Sequence, residues 1–338
     1  MLSKKFSLYP ELIQRANDIM RAAQLAACLE VSGYPKPGNV HRLRDFKDTT
    51  FEHFIAGSIA IGPSIREASI RGMKIGIKEL ELKDANIGFF VKKAVSDVKA
   101  WHKGGNTHLG IITLFIPLAV SAGYCTILYG EPYHKELKSL FEDVVKATTY
   151  RDTIEFYNAI KIANPGGLGK IEEDKNIDVT EGKIEILEEK VTLYDVMRIA
   201  SEWDMVAWEF VNGLESVFYV GCPAFEKFYK ETGNVNIAIV HTFLKLLSLK
   251  PDTLIARKIG LRKTSNIREA VKIGLKEARK YSFKARKILE LGGLKTREGK
   301  IALKKLDKEL TSKNVNPGST ADILATSLFV AIMKGFRP

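Results

Sequence analysis

Cysteine is scarce in this sequence of 338 residues. The three cysteines, Cys28, Cys125 and Cys222, lie far apart and lack the close spacing of thiolate metal ligands, so we exclude a zinc site built from them. We expect all three to be reduced core residues. The first six residues, Met-Leu-Ser-Lys-Lys-Phe, lack the apolar core of a signal peptide. These absences predict a cytoplasmic protein.

Strand patterns and standard nucleotide motifs are also lacking, and we expect no apolar run long enough to span a membrane. Only residues 183–187 alternate polar and apolar side chains as a strand does. The loop 164–170, Asn-Pro-Gly-Gly-Leu-Gly-Lys, resembles a phosphate loop in composition but lacks the glycine spacing of the Walker and dinucleotide-binding motifs. A nucleotide site of either of these two kinds is therefore excluded.

The charge of the chain is unbalanced, with 52 Lys and Arg against 40 Asp and Glu and a net charge of +12. This excess suits an anionic partner. Much of it lies in 267–294 and 296–308, where apolar residues recur at helical spacing behind the lysines, as expected of solvated helix faces. No aromatic-interleaved basic patch or recognition-helix motif is present, so we expect no nucleic-acid partner.

What the sequence does contain is helical periodicity over most of its length. Residues 50–75 have the pattern of a buried helix pair with a break near Gly62-Pro63. Residues 106–124 are almost wholly apolar, which predicts a central helix that is kinked or joined at Pro117. Further helices are predicted at 11–30, 193–219, 235–249, 267–291 and 320–334.

These patterns predict an all-α fold, with one multihelical domain over residues 1–338. We expect an irregular insertion at about 164–190, with at most a minor β-hairpin near 171–190. No internal repeat is present.

Three turns rich in glycine, proline and asparagine interrupt the helices, at 30–42, 104–110 and 314–326. Such residues are common in turns. Turns loaded with Lys, His, Asn and Asp as well are less common, so a shared site formed by three helix ends is the simplest explanation. In the third turn, Ser319 and Thr320 are good N-caps for a helix that carries Asp322. Its N–H groups would hold phosphate and Asp322 a metal or sugar hydroxyl; the alternative is an ordinary capped helix.

The three turns together resemble the signature of the triphosphoribosyl-dephospho-CoA synthase family, whose product is the precursor of the citrate and malonate lyase prosthetic group. Its Pro-Lys-Pro-Gly segment matches 35–38, its Asn-Thr-His segment matches 106–108, and its Asn-Pro-Gly-Ser-Thr-Ala-Asp segment matches 316–322. Residues 252–260 resemble its Asp-Thr…Arg-x-Gly element. The chain has His41 and Phe46 where the family usually has Asp and His, which leaves the acceptor substrate open and would fit an archaeal-style branch.

The resemblance implies transfer of the 5-triphosphoribosyl group of ATP to the ribose 2′-hydroxyl of 3′-dephospho-CoA, or of a related acceptor, with release of adenine. Such glycosyl transfer needs a carboxylate beside an oxocarbenium-like transition state and a base for the hydroxyl. The triphosphate needs Mg²⁺, cations and backbone N–H groups. We expect no membrane partner, and a homodimer is compatible with the sequence. A magnesium-dependent N-glycosidic hydrolase and a non-catalytic nucleotide- or coenzyme-binding helical protein are the alternatives.

The turns and the resemblance together give the candidate site residues. The candidate catalytic residues are Glu30, Asp48, His108 and Asp322, and Asp48 and Asp322 are also the candidate Mg²⁺ ligands. The candidate nucleotide-binding residues are Lys36, Pro37, Gly38, Asn39, Gly105, Asn106, Thr107, Arg257, Lys258, Asn316, Gly318 and Ser319. The alternative for each charged residue is a turn, cap or solvated surface position. His108 lies at a helix start, which favours its neutral ring. The histidines without ligand spacing are expected to be structural: His53, His102, His134 and His241.

Overall fold

The computed structural model describes residues 2–165 and 189–338, with side chains from residue 10 onward. In these ranges the regular structure is helical and contains no β-strand, which confirms the all-α prediction. The predicted hairpin near 171–190 and the strand-like residues 183–187 lie almost entirely outside the described residues. The domain count stays a prediction, although the buried side chains form one contiguous hydrophobic core.

The helices of the described residues are, in chain order, α1 (Leu2–Ser32), α2 (Phe51–Ala60), α3 (Gly62–Gly76), α4 (Ile87–Trp101), α5 (Leu109–Tyr129), α6 (Leu137–Lys146), α7 (Tyr150–Ala163), α8 (Leu193–Ala200), α9 (Met205–Val211), α10 (Cys222–Thr232), α11 (Val235–Leu249), α12 (Thr253–Gly260), α13 (Ile267–Glu290), α14 (Arg297–Ser312) and α15 (Gly318–Met333). Short 3₁₀ turns occupy Leu82–Ala85 and Gly293–Lys295, and a π-helical turn occupies Val217–Gly221.

Most predicted helices are present, and the break between α2 and α3 falls at the predicted position. The predicted helix at 193–219 is wrong as a single element. It is divided because Asp204 caps a new helix at α9, and because Gly213 and Leu214 both take positive φ angles. All three cysteines are free; Cys125 and Cys222 lie in the core as predicted, whereas Cys28 is only half-buried.

Helix α5 is the central element. It continues through Pro117, so the join at this residue is excluded and the alternative, a kink, stays a prediction. The expectation that no apolar run reaches membrane-spanning length was wrong, because α5 has 21 residues and a mean hydropathy of 2.1 in its most apolar window. Of that window, 83% is buried inside the fold, as is typical of a core helix. Helices α1, α3 and α15 are among those that pack around it.

Glycines allow α3 and α5 to approach closely. A Cβ atom at Gly72 would overlap the Val120 carbonyl oxygen, and one at Gly123 would overlap the Ser69 carbonyl oxygen. Both obstacles are backbone atoms, which cannot move aside without shifting a helix. The contact between the two helices therefore depends on the absence of these side chains.

We predict that Gly123→Ala lowers the free energy of unfolding by about 1–3 kcal/mol, because the added methyl group overpacks the α3–α5 contact. Gly105→Ala is the matched control, because its Cβ would meet only Thr49 and Asp48 side-chain oxygens at 3.4 and 3.6 Å. Urea unfolding of both variants tests this. Equal stability of Gly123→Ala and the wild type would contradict the close helix contact.

Candidate functional site

The first turn brings two candidate residues into a buried ion pair. Glu30 lies in the last turn of α1, and Lys36 follows after a cis peptide bond between Tyr34 and Pro35. The exposed fractions are 3% for Glu30 and 1% for Lys36. The Lys36 Nζ donates to the Glu30 carboxylate and to its main-chain oxygen, the latter at 2.5 Å. Burial raises the pKa of Glu30, and the Lys36 charge opposes that rise.

Arg44 fixes the shape of the first turn. Its Nε donates to the Asn39 carbonyl oxygen at 3.2 Å, and its guanidinium pairs with Asp307 of α14. The same Asp307 carboxylate accepts the Gly38 N–H at 2.9 Å. Gly38 has a φ of 75°, and a Cβ there would lie 2.9 Å from the Leu310 Cβ. Sequence analysis did not identify Arg44 and Asp307, because their pairing joins residues that are distant in the chain.

The start of α15 is capped differently from the prediction. Helix α15 begins at Gly318, and no side chain at its N-cap position bonds to it. Instead, Asp252 Oδ2 accepts the Thr320 N–H and hydroxyl, each at 2.7 Å. Asp252 Oδ1 accepts the Ile255 N–H at 3.1 Å, so one buried carboxylate caps both α12 and α15. The predicted capping by Ser319 and Thr320 was therefore wrong: both lie inside the helix, and the Ser319 Oγ lies 3.3 Å from the Thr253 Oγ1.

Asp322 lies one turn into α15, against the first turn of α5. The chain can approach because position 110 is glycine: a Cβ there would overlap the Asp322 carboxylate. The pKa of Asp322 is raised well above its usual range, chiefly by removal from water and then by the charges of Glu30, Asp204 and Asp252. Burial lowers the pKa of Lys36, and the negative charges of Glu30 and Asp322 raise it.

Arg257 faces the same carboxylates from α12. Its Nη1 lies 3.7 Å from the Asp204 Oδ2, and its charge opposes the rise in the pKa of Asp322. The Arg257 Nε–H is buried and has no hydrogen-bond partner. A buried donor without a partner is rare in folded proteins and is expected where a ligand supplies the acceptor. Sequence analysis did not identify Asp204, which carries no motif beyond its position before α9.

Lys258 connects the first and third turns. Its Nζ donates to the Asn316 Oδ1 at 2.6 Å, and the Asn316 Nδ2 donates to the Asn39 Oδ1 at 3.4 Å. Burial lowers the pKa of Lys258, and Arg257 lowers it further, whereas Asp252 and Asp48 raise it. The predicted convergence of these two turns is therefore present in the structure.

The second turn, 104–110, lies beside Asp48. The Gly105 N–H donates to the Asp48 carbonyl oxygen at 3.3 Å, and the Asp48 side chain is exposed. Asn106 is exposed, and its Oδ1 accepts the Leu109 N–H at the start of α5. Thr107 and His108 are buried instead of facing solvent, and burial lowers the pKa of His108 to about 3. The neutral His108 ring agrees with the sequence-based expectation, but its catalytic role stays a prediction.

The assembled site has more acids than bases. Its acidic side chains are Glu30, Asp48, Asp204, Asp252 and Asp322, and its basic side chains are Lys36, Arg257 and Lys258. Within the described ranges, no group of three or more His, Cys, Asp or Glu residues could hold a metal ion. An ion enclosed by protein ligands does not fit this donor set. Mg²⁺ does fit, because it is usually bound by one or two carboxylates together with water and substrate phosphates.

We predict that His108 makes the protein acid-sensitive. The unfolded chain has a His pKa near 6.5 and the folded chain one of about 3, so the unfolded state binds more protons between these values. The contribution of His108 to stability is therefore at its full value above pH 6.5. It falls as the pH decreases, by about 1.4 kcal/mol per pH unit from this one group.

The measurement is the free energy of unfolding of the wild type and of His108→Gln at pH 4.5 to 7. Other buried groups, such as His41 and His241, contribute to the pH dependence of unfolding in both proteins. Their contributions cancel when the two slopes are subtracted. Parallel slopes would contradict the buried neutral state of His108.

Comparison with known proteins adds a separate observation. The sequence model of the family described as ATP:dephospho-CoA triphosphoribosyl transferase matches residues 16–337. The 2-(5″-triphosphoribosyl)-3′-dephosphocoenzyme-A synthase of Klebsiella pneumoniae is 23% identical over 321 residues, which are 94% of this chain and 91% of that enzyme. Its counterpart from Escherichia fergusonii is 28% identical over 120 residues, and the match covers 36% of this chain and 35% of that enzyme.

Two further proteins are similar over most of the chain. Protein CitXG of Leuconostoc mesenteroides subsp. cremoris is 24% identical over 345 residues, with 98% of this chain and 62% of that protein covered. A crystal structure described as a triphosphoribosyl-dephospho-CoA synthase from Archaeoglobus fulgidus superimposes with a TM-score of 0.58. It is 26% identical, and the superposition covers 85% of this chain and 100% of that one.

Proposed function

Because the chain belongs to the ATP:dephospho-CoA triphosphoribosyl transferase family, we propose that it transfers the 5-triphosphoribosyl group of ATP to the ribose 2′-hydroxyl of 3′-dephospho-CoA or a related acceptor. In this reaction the bond between C1′ of the ATP ribose and adenine breaks. The bonding electrons and a proton go to adenine, and C1′ bonds to the acceptor oxygen, which loses its proton.

The convergence of the three turns on one cluster of charges is the observation that carries the proposal. Lys36 of the first turn and Asp322 of the third turn interact electrostatically, and Gly110, the last residue of the second turn, lies against Asp322. Lys258 and Asn316 connect α12 to the third turn by a hydrogen bond. Segments far apart in sequence thus form one site, as the family's reaction with two large anionic substrates requires.

Each part of this site meets one demand of the reaction. The unpartnered Nε–H of Arg257 would donate to a triphosphate oxygen, and Lys258 would supply a second cation beside it. Asp322 would stabilise the positive charge that develops at C1′. Its pKa, raised in the protein alone, would fall when cations enter the site with ATP. Lys36 is already paired with Glu30, so we assign it to holding that carboxylate and not to direct phosphate contact.

We propose that Mg²⁺ enters with the triphosphate and that Asp48 and Asp322 would hold it. When bound, it would neutralise part of the triphosphate charge. The protein side chains cannot do this alone, because the acidic groups of the site outnumber the basic ones. The exposed Asp48 leaves room for the water ligands that Mg²⁺ retains.

We predict that the protein releases adenine from Mg-ATP only when 3′-dephospho-CoA is present and forms a triphosphoribosyl adduct of the acceptor. Asp322→Asn should lower the rate about 100-fold or more, because a charge next to the reacting carbon is lost. Asp18→Asn, on the exposed surface of α1, is the matched control. Chromatography with mass spectrometry measures both products.

Each result of this experiment discriminates among the functions. Adenine without an adduct would indicate the hydrolase, with water as the acceptor. ATP-induced thermal stabilisation without adenine release would indicate a non-catalytic binding protein or a different acceptor. Full activity of Asp322→Asn would contradict the assignment of Asp322.

We predict that Arg257→Gln weakens ATP binding about 10- to 100-fold, because a hydrogen bond between charged groups contributes about 1.5–3 kcal/mol. Lys276→Gln removes the same charge from an exposed position on α13 and should change the affinity less than twofold. Isothermal titration with Mg-ATP, without the acceptor, measures both affinities. Equal affinity of the two variants would show that Arg257 does not contact the nucleotide.

A further inference from the structure

A chain of hydrogen bonds connects the second turn to α2 through side chains that form no part of the charged cluster. It starts at His102, just after α4, passes through Thr107 and His108, and ends at Ser58 of α2. The distances are 3.0 Å from the His102 Nε2 to the Thr107 Oγ1, 2.6 Å from there to the His108 Nδ1, and 3.2 Å from the His108 Nε2 to the Ser58 Oγ.

The first end of this chain is fixed by a group that can only donate. The Gly104 N–H donates to the His102 Nδ1 at 3.1 Å, so this nitrogen carries a lone pair. A neutral His102 therefore carries its proton on Nε2 and donates it to the Thr107 hydroxyl oxygen. Burial lowers the pKa of His102, which favours this neutral form.

The other end is fixed by a group that can only accept. The Ser58 hydroxyl donates its one proton to the Phe54 carbonyl oxygen at 2.7 Å. Ser58 must therefore accept a proton from the His108 Nε2. Because the buried His108 is neutral, its Nδ1 has no proton and accepts one from the Thr107 hydroxyl. The two ends thus impose the same direction, from His102 to Ser58, on every bond between them.

The turn held by this chain touches both candidate metal-binding carboxylates. Its Gly105 N–H bonds to the main chain of Asp48, and a Cβ at Gly105 would lie 3.6 Å from the Asp48 Oδ2. Two residues after His108, Gly110 lies against the carboxylate of Asp322. The His53 ring stacks on His102 with 5.2 Å between centroids and covers the turn at Gly104. Thr107 and His108 lie in the chain between Gly105 and Gly110, so a change in their conformation would alter the contacts with both carboxylates.

We propose that His102 is a positioning residue for the transferase site: through its Nε2–H it fixes the Thr107 side chain, whose hydroxyl donates to the His108 Nδ1, and so holds the second turn against Asp48 and Asp322. The tautomer of His108 itself is set by Ser58. The inference rests on the proposed function for its effect on rate. The hydrogen-bond direction itself depends only on the contacts within the protein. Histidines without ligand spacing are expected to be structural, and this one has a defined effect on the site.

Two substitutions separate the two hydrogen bonds of His102. In His102→Asn the amide oxygen can still accept the Gly104 N–H, but the donor to Thr107 is lost. In His102→Gln the longer amide can still donate to Thr107, but the acceptor for Gly104 is lost. His134→Asn is the matched control, because the His134 Nδ1 also accepts a backbone N–H two residues later and its ring also stacks on an aromatic neighbour, Tyr129.

The test combines ¹⁵N NMR of the histidine rings with the rate of adenine release. We expect His102→Asn to keep the Nε2–H tautomer of His108, which Ser58 sets, but to shift the His108 Nδ1 resonance because the Thr107 hydroxyl is no longer held toward it. The same variant should lower kcat about 10- to 100-fold, because a small misplacement of the site residues slows the chemistry strongly. His102→Gln should keep the Nδ1 resonance and most of kcat, and His134→Asn should match the wild type in both.

An unchanged His108 Nδ1 resonance in His102→Asn, with kcat within twofold of the wild type, would overturn the proposal. Equal loss of kcat in both His102 variants with an unchanged Nδ1 resonance would also overturn it, because the ring would then matter only for packing. A wild type that releases no adenine would overturn the proposed function, but the NMR comparison would still decide whether His102 holds Thr107 toward His108.

Discussion

The buried ion pair between Glu30 and Lys36 is the interaction on which the site depends. Both side chains are almost fully removed from water, and each compensates for the burial of the other. Leaving either charge buried without its partner would cost about 3–5 kcal/mol. The pair therefore ties the end of α1 to the first turn. It also places a positive charge next to Asp322, whose own burial requires compensation.

Around this pair, buried and half-buried carboxylates cap the starts of neighbouring helices. Asp252 accepts N–H groups from the starts of α12 and α15, and Asp204 caps α9 while facing Arg257. Each carboxylate satisfies donors that a helix start leaves unpaired. The same carboxylates give the site an excess of negative charge. On the proposed function, a site of this composition would bind a triphosphate best together with a divalent cation.

The fold class and the locations of the three turns could be predicted from sequence because they depend on local patterns. Apolar periodicity specifies helices, and Gly-Pro-Asn segments end them whatever the rest of the chain does. The two breaks within 193–219 could not be predicted. One lies at Asp204, which caps α9, and the other at Gly213 and Leu214, whose positive φ angles arise in the packed structure. Arg44, Asp204 and Asp307 were not identified for a related reason. Their partners lie far away in the chain, and a single charged residue in a sequence does not indicate which partner it has.

The sequence by itself thus determined an all-α chain, its family and the residues that carry the three turns, since composition and local order suffice for these. The tertiary structure decided how those residues act. It buried Lys36 against Glu30, made Asp252 the cap of α15, and left the Arg257 Nε–H without an acceptor. It also enclosed Thr107 and His108 in a directed hydrogen-bond chain that begins at His102. Burial, charge pairing and hydrogen-bond direction are properties of atoms brought together from distant segments, and they exist only once the helices have packed.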